Sequence, residues 1–113
     1  MVKRILVVDD DRPAPAATVA KSSADALRLL RRQAWDELWL DHDLGGDDTT
    51  WPVVRELERR NAVHADLGVE SVIVHTANSV EAIRMLVALH KLPVQLRRAT
   101  AMQMITELSG HSA

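Results

Sequence analysis

The stretch RILVVDDD, residues 4–11, decides the fold class, because a short apolar run, mostly β-branched, ends in three aspartates. A strand that is apolar on both faces is typical of a parallel sheet with helices on both sides. Similar runs recur along the chain, two of them strong and two weaker. The five predicted strands are RILVV (4–8), ATVAK (17–21), ELWLD (37–41), ESVIVHT (70–76) and VQLRR (94–98).

Amphipathic segments follow every predicted strand except the first. In SADALRLLRRQ, which starts at Ser23, apolar and basic residues recur at helical spacing. The other predicted helices are TWPVVRELERR (50–60), NSVEAIRMLVALH (78–90) and TAMQMITELSG (100–110), with N-caps expected at Ser22 or Ser23, at Thr49 or Thr50 and at Asn78, and with Gly110 ending the last one. Strands that alternate with helices predict a three-layer α/β fold with a mostly parallel, five-stranded central sheet, in a single domain over residues 1–113.

The first crossover is irregular. Only DRPAPA, residues 11–16, separates the first two predicted strands. A crossover helix needs about a dozen residues or more, whereas a proline-rich segment runs extended at about 3.1 Å per residue. We therefore expect an extended loop where the first helix is reduced or missing.

The bulk composition narrows the class of protein. Hydrophobic residues make up 47% of the 113 residues and charged residues 27%, which indicates an ordinary globular domain. The net charge of −2 predicts no general attraction to duplex DNA. The absence of cysteine excludes disulfides and thiolate metal sites. No apolar run has the length of a membrane span or of a signal-peptide core, so we expect a cytoplasmic protein without a membrane partner.

Polar side chains lie at the carboxyl ends of three of the predicted strands. The end of the first carries Asp9, Asp10 and Asp11, that of the third Asp41, His42 and Asp43, and that of the fourth His75 and Thr76, with Asn78 two residues on. Because the carboxyl ends of parallel strands meet at one edge of a sheet, we expect these residues to converge there.

The charge of such a cluster needs compensation. Two carboxylates about 4 Å apart repel by roughly 4 kcal/mol at an effective dielectric constant near 20. A bound cation, a nearby basic side chain or a proton held on one acid would relieve this repulsion, and for a cation the oxygen ligands favour Mg²⁺ or Mn²⁺. The predicted metal ligands are Asp9, Asp10, Asp41 and Asp43. The predicted phosphate-binding residues are Arg12, Thr76, Asn78 and Arg97, with Arg98 as the alternative to Arg97. The predicted catalytic residues are Asp41, His42 and His75, since either histidine can move a proton near neutral pH.

Simpler interpretations stand beside these. Asn78 and Glu81 have the spacing of a capping box, and His75 is also compatible with a buried core histidine. Asp47 and Asp48 are interpreted as solvated loop residues. The three tryptophans are interpreted as packing or interface residues.

The layout resembles the receiver domains of two-component response regulators. Asp9 and Asp10 match the acid pair of that family, Asp41 its phosphoacceptor, and Thr76 with Ala77 the pair after its fourth strand. The fifth-strand lysine is replaced by Arg97 or Arg98, an apolar position is replaced by His42, and the stretch GGDDTT departs from the usual loop.

These departures resemble a divergent branch, the cyclic-phosphate processing receiver-like domains. The matching stretches are DDRP (10–13), one residue tighter than the expected DDxRP, LDHDLG (40–45) and HTAN (75–78). The resemblance implies a receiver-like, flavodoxin-like fold. It also implies metal-assisted hydrolysis or transfer at a cyclic phosphate in RNA or nucleotide metabolism, with a phosphorylated small molecule or an RNA end as partner. Two alternatives stay open, a phosphoacceptor receiver of a two-component system and a non-catalytic binding module that forms a homodimer through the last strand and helix.

Overall fold

The computed structural model describes residues 2–109, and its helices and strands follow the predicted alternation. The elements in chain order are β1 (Ile5–Val8), β2 (Thr18–Ala20), α1 (Ser23–Arg32), β3 (Trp35–Leu40), α2 (Trp51–Ala62), β4 (Val69–Val74), α3 (Ser79–Leu89), β5 (Gln95–Arg98) and α4 (Ala101–Glu107). The sheet order is β2-β1-β3-β4-β5, and every neighbouring pair is parallel. The predicted α/β fold with a five-stranded parallel sheet is confirmed.

The segment between β1 and β2 consists of turns and bends, with no helix in residues 9–17. Ala14 in this segment is buried, and the N–H of Ala16 donates to the carbonyl of Leu108 at 3.3 Å. The short crossover is therefore fastened to the end of α4, on the face of the sheet where α4 packs.

The two faces of the sheet carry unequal layers. The larger apolar cluster joins alternate strand residues such as Leu6, Leu38 and Val72 to helices α1, α2 and α3. The smaller cluster contains the residues between them, and its members are Val7, Ala14, Trp39, Ile73, Ala99, Met104 and Leu108. Successive residues of a strand point to opposite faces, so the side of each residue follows from its position in the strand.

This alternation continues past the strand ends. Asp9, Asp41 and His75 lie two residues after Val7, Trp39 and Ile73, and their N–H groups still bond to the neighbouring strands. All three side chains are therefore directed to the side of the thinner layer, where α4 and the short crossover leave room for a cavity.

Helix caps agree with most of the expectations. Ser22 accepts from the N–H of Asp25, and Asn78 accepts from the N–H of Glu81. Thr50 occupies the N-cap position of α2 without a side-chain cap bond, and its hydroxyl lies 3.8 Å from the sulfur of Met85 instead. The predicted end of the last helix at Gly110 lies outside the described residues.

The largest exposed apolar side chains within residues 2–109 include a stripe on α3, formed by Val80, Ile83 and Val87, and Met102 and Ile105 on α4. The homodimer expected from the sequence stays a prediction. None of the helices in the described part of the chain is long and apolar enough to cross a membrane.

Candidate functional site

Three acids meet at the carboxyl edge of the sheet. Oxygens of Asp9, Asp10 and Asp41 all lie within 4.8 Å of one another. Oxygens that share one Mg²⁺ or Mn²⁺ ion at 2.0–2.1 Å lie within about 4.2 Å of one another, so a small contraction of the cluster brings them into range. The residues therefore fit a hard divalent cation.

A glycine gives Asp10 its room. Gly45, in the loop after β3, has φ of +86°, and a Cβ added there would lie 3.0 Å from Oδ2 of Asp10. Both the left-handed backbone and the close carboxylate require a residue without a side chain. The close contact with Asp10 therefore explains the glycine at position 45.

Asp9 is the most heavily bonded residue of the cluster. Its Oδ1 accepts the N–H groups of Asp11 at 2.9 Å and Arg12 at 3.1 Å, and its Oδ2 lies 3.1 Å from Nε2 of His75 and 3.4 Å from Nη1 of Arg12. Burial raises the pKa of Asp9, but the bonds from His75 and from the two N–H groups outweigh it and lower the pKa to about 2. Asp9 is therefore ionised near neutral pH.

His75 has one bonded and one unbonded ring nitrogen. Nε2 lies against the ionised Asp9, which makes Nε2–H the donor and leaves a lone pair on Nδ1 of the neutral ring. Within residues 2–109, Nδ1 is buried and has no hydrogen-bond partner. A buried polar atom without a partner costs about 1–3 kcal/mol, so the site retains it at the expense of stability. The ring also lies 5.9 Å from the ring of Trp39, in the layer beneath.

Asp41 directly follows β3, at the position where the resemblance to receivers predicts the phosphoacceptor. Its Oδ1 accepts the N–H of His42 at 2.8 Å, and its Oδ2 lies 3.6 Å from Nη1 of Arg12. Burial raises the pKa of Asp41, the Thr76 side chain lowers it, and the charge of Asp9 raises it, with a net shift upward. The two carboxylates thus respond oppositely to one shared environment, because the hydrogen bonds are concentrated on Asp9.

A cavity of about 470 Å³ opens beside the acids. The polar residues lining it are Arg12, His75, Thr76, Arg98, Thr100 and Gln103. Of the two adjacent arginines, Arg98 lines the cavity, whereas Arg97 lies over the ring of Trp39 at 5.2 Å and pairs with Glu107 at 2.7 Å. The structure therefore places Arg98, the alternative to Arg97, at the cavity, and phosphate binding stays a prediction. Arg97 lies opposite Ile73, on the face that Trp39 occupies, and its guanidinium is engaged there by the Trp39 ring and by Glu107, so it is not among the residues that line the cavity.

His42 belongs to a second network, separate from His75. Its Nδ1 lies 2.9 Å from Asp43, and its Nε2 lies 3.3 Å from Oε2 of Glu81 on α3. The same Glu81 oxygen accepts from Nε1 of Trp51 at 3.0 Å. Because both ring nitrogens are engaged on the side of α2 and α3, the structure does not bring the two histidines together, and the expectation of a catalytic His42 has no geometric support.

Asp43 is also separated from the acid cluster. Its side chain is 70% exposed and is engaged by His42, and the acid group found within the described residues comprises Asp9, Asp10 and Asp41. Asn78 serves as the cap of α3, and its own N–H donates to the hydroxyl of Thr76 at 3.2 Å. Asn78 therefore supports Thr76, while Asp43 supports His42.

One residue interpreted from the sequence as solvated has a structural role. Asp48 accepts from the hydroxyl of Ser23 at 2.6 Å and from its N–H at 2.8 Å. It therefore ties the loop after β3 to the start of α1. The sequence did not predict Glu81 as the partner of His42, because the capping-box spacing from Asn78 already explained the presence of Glu81.

The parallel strand order, the acids after β1 and β3 and the threonine after β4 together define a receiver-type α/β domain. The fold is similar to the solved receiver domain of the Francisella response regulator 1452, with a TM-score of 0.59 and 20% identity over 94% of this chain and 89% of that one. The family profile described as "Cyclic-phosphate processing Receiver domain" matches residues 4–91, and the chain belongs to this family. The sequence matches no curated protein.

Proposed function

We propose that this domain binds a phosphate group beside a divalent cation and catalyses hydrolysis or transfer at a phosphoester, with a cyclic phosphate as the substrate class. The observation that carries the proposal is the buried Asp9–His75 pair, whose unbonded Nδ1 belongs to a ring that lines the cavity. A plain phosphoacceptor has no need of a histidine oriented in this way.

The cavity supplies the groups that a phosphate requires. Arg12 and Arg98 offer charged donors to phosphate oxygens, and the hydroxyl of Thr76 offers a neutral one. Asp9, Asp10 and Asp41 would hold Mg²⁺ or Mn²⁺, which when bound neutralises phosphate charge. A volume of about 470 Å³ exceeds what a bare phosphate fills, which supports a phosphorylated small molecule or an RNA end as partner.

His75 is assigned the proton transfer. Asp9 fixes the ring through Nε2, so Nδ1 is the atom that takes up a proton. In hydrolysis, the oxygen of a water molecule bonds to phosphorus, its proton passes to Nδ1, and one P–O ester bond breaks. The departing oxygen takes a proton from solvent at the open side of the cavity, and Nδ1 later returns its own proton to water.

His42 is assigned a positioning role. Its contacts to Asp43 and Glu81 connect the residue after Asp41 to α3, and so they fix the loop that carries the acid. This assignment replaces the catalytic one, because neither ring nitrogen is available to a phosphate in the cavity.

The test is a cleavage assay on 2′,3′-cyclic nucleotides and on RNA that ends in a cyclic phosphate, with Mg²⁺ or Mn²⁺. We expect product with the wild-type chain and its loss in His75→Gln, while His90→Gln, which changes an exposed histidine on the far end of α3, retains activity. Activity that survives in His75→Gln contradicts the role of His75, and no product on any cyclic phosphate contradicts the proposed reaction.

A phosphoacceptor function is the second candidate, and the position of Asp41 favours it. Asp41 directly follows β3 with Thr76 beside it, the pair found at this place in ordinary receivers. Acetyl phosphate supplied in parallel distinguishes the two functions: a gain of one phosphoryl mass on Asp41, with no turnover of cyclic phosphates, supports the receiver function.

A further inference from the structure

Arg12 lies between two acids of the cluster rather than in open solvent. Its Nη1 is 3.4 Å from Oδ2 of Asp9 and 3.6 Å from Oδ2 of Asp41, and its side chain is 26% exposed. One guanidinium nitrogen thus lies near both acids and offsets part of their mutual repulsion. The site already contains a cation, and it is part of the chain.

The bonding of Asp9 leaves no room for a second cation. A carboxylate has about four lone-pair positions, and Asp9 uses them for the N–H groups of Asp11 and Arg12, for Nε2 of His75 and for Nη1 of Arg12. Three of these four donors are fixed by the backbone or by a buried ring. The guanidinium is the one donor on a flexible side chain, and it is the one that an incoming ion can displace.

The cavity can receive the displaced guanidinium of Arg12. Arg12 lines the cavity together with Thr76 and Arg98, while its backbone N–H stays on Oδ1 of Asp9. Moving the side chain therefore requires no change in the loop. The unpartnered Nδ1 of His75, buried in the wall of the same cavity, is independent evidence that a ligand completes this site.

We propose that Arg12 is a built-in cation that exchanges with the divalent ion: when the ion enters between Asp9 and Asp41, the guanidinium leaves them and binds the phosphate in the cavity. The inference rests on the metal site of the proposed function, and it adds an order of binding, in which the metal ion enters before Arg12 binds the phosphate. Without the ion, Arg12 is held by the acids and is not free for the anion. Metal and phosphate therefore favour each other's binding, and the coupling is reciprocal by thermodynamic linkage.

Calorimetric titration of the full chain with Mn²⁺ tests the exchange directly. We expect Arg12→Ala to bind Mn²⁺ about tenfold more tightly than the wild type, because the ion no longer displaces a competitor. Arg98→Ala is the matched control, since it removes the same charge from the same cavity without touching the acids. At physiological ionic strength we expect this control to change Mn²⁺ affinity by no more than about twofold.

Titration with inorganic phosphate, with and without Mn²⁺, tests the second half of the exchange. We expect Mn²⁺ to raise the phosphate affinity of the wild type at least about fivefold, within the usual range of coupling between sites. In Arg12→Ala this enhancement falls, because the arginine released by the ion is gone. Arg12→Gln, which keeps a donor but removes the charge, behaves like Arg12→Ala if the exchange is electrostatic.

The outcomes separate the exchange from the metal site itself. Unchanged or weaker Mn²⁺ binding in Arg12→Ala, with binding retained by the wild type, overturns the exchange and leaves the proposed metal site standing. Absence of Mn²⁺ binding in all variants, each shown to be folded by its thermal unfolding transition, overturns both. An equal gain of Mn²⁺ affinity in Arg98→Ala also overturns the exchange, because the effect would then come from the change in net charge alone.

Discussion

Nε2 of His75 lies 3.1 Å from Oδ2 of Asp9, although the two residues are 66 positions apart and both side chains are fully buried. The contact crosses β3, because β1 and β4 each pair with β3 and not with each other. A hydrogen bond between buried side chains in such a place is maintained by the fold, and its loss is measurable in both stability and chemistry.

The first prediction concerns acid unfolding. The pKa of Asp9 is lowered from 3.8 to about 2 in the folded chain, so its stabilising contribution is complete above about pH 4 and is lost as the pH falls toward 2. A shift of this size corresponds to about 2 kcal/mol. Urea unfolding of the wild type and of Asp9→Asn should differ by about 2 kcal/mol less at pH 2 than at pH 5. A difference that does not depend on pH would show that Asp9 is not ionised in the way described.

The second prediction uses two adjacent glycines as a matched pair. Gly45 and Gly46 both have positive φ, at 86° and 56°, but a Cβ on Gly45 meets Asp10, whereas one on Gly46 meets nothing within 4 Å. Each alanine substitution should cost about 1 kcal/mol of backbone strain. Gly45→Ala alone should also weaken Mn²⁺ binding, because it moves an acid of the cluster. Equal Mn²⁺ affinity in both variants would remove Asp10 from the metal site.

The third prediction separates the two arginines of β5. Arg97→Ala should lose about 1 kcal/mol of unfolding free energy, because its stacking on Trp39 and its pair with Glu107 disappear, and its phosphate affinity should not change. Arg98→Ala should weaken binding of inorganic phosphate in the presence of Mn²⁺ by roughly three- to tenfold, with little effect on stability. If Arg97→Ala weakened phosphate binding and Arg98→Ala did not, Arg97 would be the phosphate ligand instead.

The fourth prediction addresses the positioning role of His42. In a double-mutant cycle, His42→Ala and Glu81→Ala should show a coupling energy of about 0.5–1.5 kcal/mol in urea unfolding, since Nε2 and Oε2 lie 3.3 Å apart. The exposed His64 provides the control pair with Glu81, and its cycle should be additive. An additive His42 cycle would mean that the contact does not hold the loop after β3.

The sequence was sufficient where local patterns determine structure. Short apolar runs, two of them weak, predicted the five strands, and the rule that carboxyl ends of parallel strands share an edge predicted the meeting of Asp9, Asp10 and Asp41. The short DRPAPA stretch likewise predicted a first crossover without room for a full helix.

The errors arose where side-chain direction depends on a distant neighbour. His42 follows Asp41 in sequence, but its ring is directed by Glu81, which a cap pattern already explained. The strand QLRR has no apolar alternation that distinguishes its two arginines, and the contacts of Arg97 with Trp39 and Glu107, which leave Arg98 at the cavity, are not visible in the sequence. Asp48 looked like a solvated acid because its partner on α1 is 25 residues away.

The bond from Ala16 to Leu108 has a consequence for motion. The loop of residues 9–17, which begins with the acids, is anchored at one end to β1 and at the other to the end of α4, so it has little freedom to move. A ligand in the cavity touches both the loop, at Arg12, and the first turns of α4, at Gln103. Amide hydrogens of α4 should consequently exchange more slowly with solvent deuterium when phosphate is bound. The exchange rate of this helix would then report whether the cavity is occupied, although no residue of α4 takes part in the proposed reaction.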